Sequence, residues 1–254
     1  MNPLNLDEVR QYVNDHIDTF HENRIRLVSK TTLANLVHKN PYLLKAKNVT
    51  KASELVEGAL EARLSSSEEE QFGNVLEDLA IFVAEKTTGG HKSGAVGVDL
   101  EFDHGERHYF VSIKSGPSWG NSSQHKELDR NLQSAVNAFR QRKGQAIQAD
   151  SVLGICYGKT QTARNEAGYL KLVGQNFWTF ISSNRDLYKQ IIEPIGYRAK
   201  EHNDNYHNAL SKVTNQLELQ FIQRFCEPDG SINWDRLVEA ACGNFDLNEH
   251  GFDF

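Results

Sequence analysis

Near Gly90 the chain switches from the period of a helix to that of a strand, and this switch limits the fold more than any other feature. Upstream, Leu6, Val9, Val13, Ile17 and Phe20 recur three or four apart, the spacing of one apolar helix face over residues 4–30. The same reading predicts helices over residues 31–38, ended by Asn40-Pro41, and over 52–62 and 67–86. Ser-Ser-Ser-Glu-Glu-Glu opens the last of these, because hydroxyls and acids suit the free N–H groups of a helix start. Downstream, residues 95–102 (AVGVDLEF) and 107–115 (RHYFVSIKS) are β-rich runs separated by Asp-His-Gly-Glu, a hairpin turn. A helix over 123–142 follows, then an apolar run at 151–157 (SVLGICY) of the kind that forms a central strand. A strand near 169–173, helical stretches over 177–181 and 186–192, and a mostly helical segment over 203–242 complete the chain before a Phe- and Asp-rich tail. Helix, hairpin, helix and buried strand make a mixed α/β core flanked by helices. The expected division is a helical N-terminal region (1–64), a core (65–200) and a helical C-terminal region with its tail (201–254).

Composition removes several function classes. With 254 residues, 39% hydrophobic and 24% charged, the chain is an ordinary globular one rather than a disordered one. No apolar run approaches the roughly 18–20 residues of a membrane span. The first residues are acidic and polar, without the apolar segment of a signal peptide, so the expected location is the cytoplasm. Cys156, Cys226 and Cys242 lie far apart and form neither a disulfide framework nor a CxxC clip. The histidines show no HxH or HExxH spacing for zinc, and no P-loop, GxGxxG or GxSxG is present. A net charge of −6 rules out a uniformly basic surface but leaves room for a local basic cleft.

The chemistry gathers on the hairpin. Side chains alternate along a strand, so Asp99 and Glu101 share one face, as do Ser112 and Lys114. With a turn over residues 103–106, Phe102 pairs with Arg107 and Asp99 with Phe110, and all four polar residues point the same way. Two carboxylates beside a lysine are what a Mg²⁺-dependent phosphodiesterase uses: hard oxygens for the metal, and an ammonium to orient water or stabilise charge.

Asp99 and Lys114, with 12 residues between Asp99 and Ser112, resemble the motif of the PD-(D/E)xK nuclease superfamily, and the surroundings look like its type II restriction endonucleases. The resemblance spans residues 65–196 and includes Ile113-Lys-Ser-Gly-Pro-Ser-Trp-Gly-Asn-Ser-Ser-Gln, Gly154-Ile-Cys-Tyr-Gly and Gly174-Gln-Asn-Phe-Trp-Thr-Phe-Ile-Ser. It implies a restriction-endonuclease-like core and Mg²⁺-dependent cleavage of double-stranded DNA by a homodimer. It also implies a cognate DNA methyltransferase in the same system that is not a physical partner. Asp99 would bind the metal and Lys114 would orient the attacking water. Val98 replaces a frequent proline, and Ser112 stands where the second acid belongs, so another carboxylate must serve. Glu101 is available on the hairpin. Glu77, in Gly73-Asn-Val-Leu-Glu, matches the place from which many members supply an additional ligand; the choice between them stays open at this point.

Candidate DNA contacts follow the lysine. Ser115, Trp119, Asn121, Ser122, Ser123 and Gln124 lie in a loop whose small residues allow close backbone approach and whose polar ends reach phosphates or bases. Lys126 and Arg130 extend it with charge; Arg140, Arg142 and Lys143 are read as a solvated helix face. Trp119 can stack on a base or pack on the fold, whereas Phe177, Trp178 and Phe180 at helical spacing read as core. Two rival functions remain: a repair or recombination nuclease of the same fold, and a non-catalytic DNA-binding module in which Ser112 marks a decayed site.

Overall fold

The computed structural model describes residues 1–143, 148–159 and 161–244, except the side chain of Lys143; the expected tail falls almost wholly outside them. The chain opens with helices α1 (Leu6–Lys30), α2 (Leu33–Val37), α3 (Pro41–Ala46) and α4 (Ala52–Thr88). Strands β1 (His91–Lys92), β2 (Leu100–His104) and β3 (Arg107–Lys114) precede α5 (Ser122–Lys143). Strands β4 (Gln148–Ile155), β5 (Ala163–Arg164) and β6 (Leu170–Val173) lead to α6 (Gln175–Ser182), α7 (Leu187–Gln190) and α8 (Ile192–Ile195). Helices α9 (Ala199–Phe225) and α10 (Trp234–Cys242) follow. Residues 1–20 and 70–197 form one compact unit, and 21–69 and 198–254 form the other. The first twenty residues thus cluster with the sheet, and a boundary at 64 would fall inside α4.

In the first unit a six-stranded mixed sheet runs β1-β2-β3-β4-β6-β5. β2 and β3 are antiparallel, β3, β4 and β6 are mutually parallel, and the short β1 and β5 add antiparallel edges. Helix α5 is the crossover that two adjacent parallel strands require. Alternation along β3 sends Val111 and Ile113 into a cluster with Val9, Val13, Ile17, Leu79, Val83 and Trp178. Phe110, one residue out of phase, joins Leu128, Leu132, Val136 and Phe139 of α5. Both faces of the sheet are therefore buried, and truncating Leu79 or Leu132 to alanine should cost about 2–5 kcal/mol each. Gly154 on β4 has no side chain because the ring of Phe177 occupies the place its Cβ would take. The Trp178 indole N–H then donates to the Cys156 carbonyl at 2.8 Å, pinning α6 to the end of β4.

The second unit is helical. Val28, Leu36, Leu55, Val56, Leu60, Leu217 and Phe221 form its core. Arg24 donates to Glu68 at 2.8 Å and lies 3.9 Å over the Tyr206 ring.

Three expectations need correction. Residues 52–62 and 67–86 are one continuous helix, because Ser65–Ser67 keep the phase that buries Leu60 and Leu64 before them and Leu76 and Leu79 after. A capping sequence permits a helix start; burial on both sides overrides it. Asn40-Pro41 also begins a helix as well as ending one: the Asn40 side chain accepts from the Leu43 N–H at 3.2 Å, and Pro41 sits where no N–H is needed. The hairpin is tighter than expected. His104 pairs with Arg107 across Gly105-Glu106, so the register slips by two and Glu101, not Asp99, faces Phe110. Gly105, at φ 62°, supplies the left-handed residue such a two-residue turn wants. A slip of two leaves every side chain on its expected face.

Candidate active site

Asp99 lies one residue before β2, and the backbone brings it there through Gly97. That glycine has φ 70°, and a Cβ on it would collide with the Asn131 side chain of α5. The Asp99 N–H donates to the Val111 carbonyl at 2.9 Å, which carries the β2–β3 ladder one step further. Its carboxylate is held by a single oxygen. Oδ2 accepts from the Ile113 N–H at 2.6 Å and from the Ser112 hydroxyl at 3.3 Å, and Lys114 Nζ lies 3.8 Å from it. Oδ1 has no hydrogen-bond partner among the described residues, so its lone pairs stay free. Ser112 is only 1% exposed. A hydroxyl buried there donates to Asp99 and adds no charge of its own.

Helix α4 brings Glu77 to the same place. Burial raises its carboxyl above the usual value and the negative charge of Asp99 raises it further, while Lys114 and Lys92 pull it part of the way back. Lys92 Nζ sits 4.0 Å from Glu77 Oε1. Lys92 was not singled out from sequence, because a two-residue edge strand carries no readable pattern.

Glu101 goes elsewhere. Its Oε2 is 3.1 Å from Nε2 of the buried His108, whose Nδ1 is 2.7 Å from Asp103 Oδ1, and His91 lies 3.9 Å from Oε1. Burial pushes the Glu101 carboxyl up, but hydrogen bonds from His108, Ser93 and the Gly94 backbone outweigh it and hold it below the usual value. The His108 ring stacks on Phe139 at 4.2 Å. The structure thus joins Glu77, Asp99, Ser112 and Lys114, and engages Glu101 in a neighbouring network. Among the described residues no group of three or more His, Cys, Asp or Glu side chains could hold a metal ion.

The loop after β3 serves several purposes. Trp119 is half-buried against the α5 cluster, with its ring 5.8 Å from Lys114 Nζ and 4.2 Å from the His125 ring. Asn121 and Gln124 make a reciprocal cap on α5. Asn121 Oδ1 accepts from the N–H groups of Ser123 (3.0 Å) and Gln124 (3.2 Å), and Gln124 Oε1 accepts from the Asn121 N–H (2.8 Å). Their amide NH₂ groups remain as outward donors. Ser122, Lys126 and Arg130 recur every four residues and are exposed; a shallow surface depression is lined by Ser123, Lys126, Asp129 and Arg130. Arg140 and Arg142 instead donate to the carbonyls of Ala149 and Ala138.

A family model, type II restriction endonuclease EcoO109I, matches residues 7–203, which contain every element of this site. The chain belongs to that family. It is accordingly a restriction endonuclease, a site-specific deoxyribonuclease that acts on double-stranded DNA. The match to the EcoO109I family begins well before residue 65, where the resemblance read from the motifs started. No curated protein matches the chain. Among the described residues, no helix is long and apolar enough to cross a membrane.

Proposed function

We propose that the chain hydrolyses phosphodiester bonds of double-stranded DNA in a Mg²⁺-dependent reaction, on a PD-(D/E)xK core whose metal-binding carboxylates are Asp99 and Glu77. The observation that carries this reading is the convergence of Glu77, Asp99 and Lys114 from three elements. The donor set fits the ion. Two part-buried carboxylates, with the charge of Asp99 raising the Glu77 carboxyl, favour a dication, and Mg²⁺ binds through one or two carboxylates, completing its shell with water and phosphate oxygens. When bound, it would supply Lewis-acid stabilisation of the charge that develops on the phosphate. Asp99 offers its free Oδ1 while the Ile113 N–H and Ser112 hydroxyl keep the other oxygen in place. Lys114 holds and orients the water that attacks phosphorus. Glu101 takes no part in the ligand set, because His108 already occupies it.

Ser115, Trp119, Ser122, Ser123, Lys126 and Arg130 would face the DNA backbone, and the NH₂ groups of Asn121 and Gln124 would reach acceptors on base edges. A symmetric site cut on both strands calls for a homodimer, which a light-scattering mass checks. Incubating a sequenced phage DNA with the purified protein and Mg²⁺ tests the whole reading. Discrete fragments sharing one end sequence are expected. A smear would indicate a same-fold nuclease without a fixed site, and intact DNA a non-catalytic binder.

A further inference from the structure

We propose that Tyr157 is a substrate-contacting residue of this site, its phenol hydroxyl donating to a phosphate oxygen of the strand held beside Lys114. The placement comes from the sheet. Lys114 pairs with Ile155, the Cys156 N–H donates to the Lys114 carbonyl (2.9 Å), and the chain then bends, so that the Tyr157 N–H turns to the same side and donates to the Ser115 carbonyl (3.0 Å). Tyr157 is thereby tied to the residue that follows Lys114. Its ring crosses the bare backbone of Gly116, where a Cβ would run into the phenol oxygen and ring carbon of Tyr157. On the other side Gly158, at φ 117°, leaves room for Pro117. The bare backbone of Gly116 therefore seats the ring beside the chain that leaves Lys114.

The ring does none of the usual work of an aromatic. Tyr157 is 52% exposed, although Val152, Leu153, Ile155 and Cys156 just before it are buried. It belongs to none of the three apolar clusters. Its hydroxyl has no partner among the described residues. A hydroxyl donor on a seated ring, packed on the backbone two residues beyond Lys114, matches a DNA phosphate contact; tyrosine is one of the side chains that make them.

This inference rests on the proposed function, because Lys114 marks where the phosphate lies. The test compares wild type, Tyr157→Phe, Tyr157→Ala and Gly116→Ala by duplex binding in Ca²⁺ and by cleavage in Mg²⁺. Tyr157→Phe should weaken binding roughly ten- to a hundredfold, equally for cognate and random duplexes, the size expected for one hydrogen bond to a charged group. KM should rise by a similar factor with kcat within about twofold, and the salt slope should not change, since a neutral donor displaces no counterion. Gly116→Ala, which pushes the ring away, should act in the same direction. Wild-type Kd and KM in Tyr157→Phe would overturn the contact even if Tyr157→Ala binds poorly, because the ring alone would then matter. Weakening confined to the cognate duplex would likewise overturn it in favour of a base contact. Wild-type protein that neither binds nor cuts DNA would instead bring down the reading of the site itself.

Discussion

The two ends of the β2–β3 hairpin carry the same residue types on the same face and do opposite things with them. At the turn end, Glu101 and Asp103 close on the two nitrogens of His108, the imidazole is stacked on Phe139, and Glu101 is held below the usual carboxyl range. At the far end, Asp99 leaves one oxygen without a partner among the described residues, and the Glu77 carboxyl is raised above its usual value. A carboxylate with strong local partners contributes stability and has little left for a ligand. One that is crowded by a second carboxylate destabilises the free protein and gains most when a cation arrives. Active sites are where such uncompensated charge concentrates.

The comparison can be broken in order of effect. Asp99→Asn keeps an acceptor for Ile113 and Ser112 but removes the charge, so cleavage should fall by roughly a thousandfold, several kcal/mol of metal-assisted stabilisation being lost. Binding in Ca²⁺ should persist, and near-normal cleavage would show that the wrong end has been chosen. Glu77→Gln should reduce cleavage on the order of a hundredfold at saturating Mg²⁺, whereas Glu101→Gln should stay within about tenfold. Equal losses in the two variants would erase the distinction. Lys126→Ala and Arg130→Ala should each lower the log–log salt slope of DNA binding by about 0.9 in a salt titration, without changing the preferred sequence. Ser112→Ala should cost about fivefold in rate, because the bond it removes is long at 3.3 Å and the Ile113 N–H still holds Asp99.

The smallest effects are in stability, and their signs oppose. The depressed Glu101 carboxyl stabilises the fold above its unfolded pKa, and this is lost as pH falls through the folded value. Glu101→Gln should therefore melt below wild type at neutral pH, by about 1–2 kcal/mol, with the gap closing in acid. The raised Glu77 carboxyl does the reverse. Its native charge is penalised at neutral pH, and stability returns as pH falls through the folded pKa towards the unfolded one. Metal-free Glu77→Gln should melt above wild type at neutral pH, and the advantage should fade in acid. Melting curves across pH that ran parallel for both variants would contradict this picture.

Much of this was legible in the residues because the relevant rules are local. Alternation placed Asp99, Ser112 and Lys114 on one face, and that survived a register two residues away from the expected one, since an even slip preserves faces. Helical spacing identified Val9, Val13 and Ile17 as the buried face of α1 and assigned Phe177 and Trp178 to the core. What failed locally did so where two rules competed: three serines and three glutamates read as a start lie mid-helix in α4. The Asn-x-x-Gln spacing of residues 121–124 also signals a helix N-terminus, which the motif reading passed over.

By itself, the sequence determined the hairpin, its polar face and the absence of an acid at Ser112, all of which depend on residue type and strand period. Which glutamate stands beside Asp99 was decided only by tertiary structure. Glu77 reaches Asp99 from a different element, and Glu101 meets His108 across the strand pair. Proton affinity and metal-ligand capacity depend on burial and on the charges within a few ångströms, and no spacing along the chain encodes those distances.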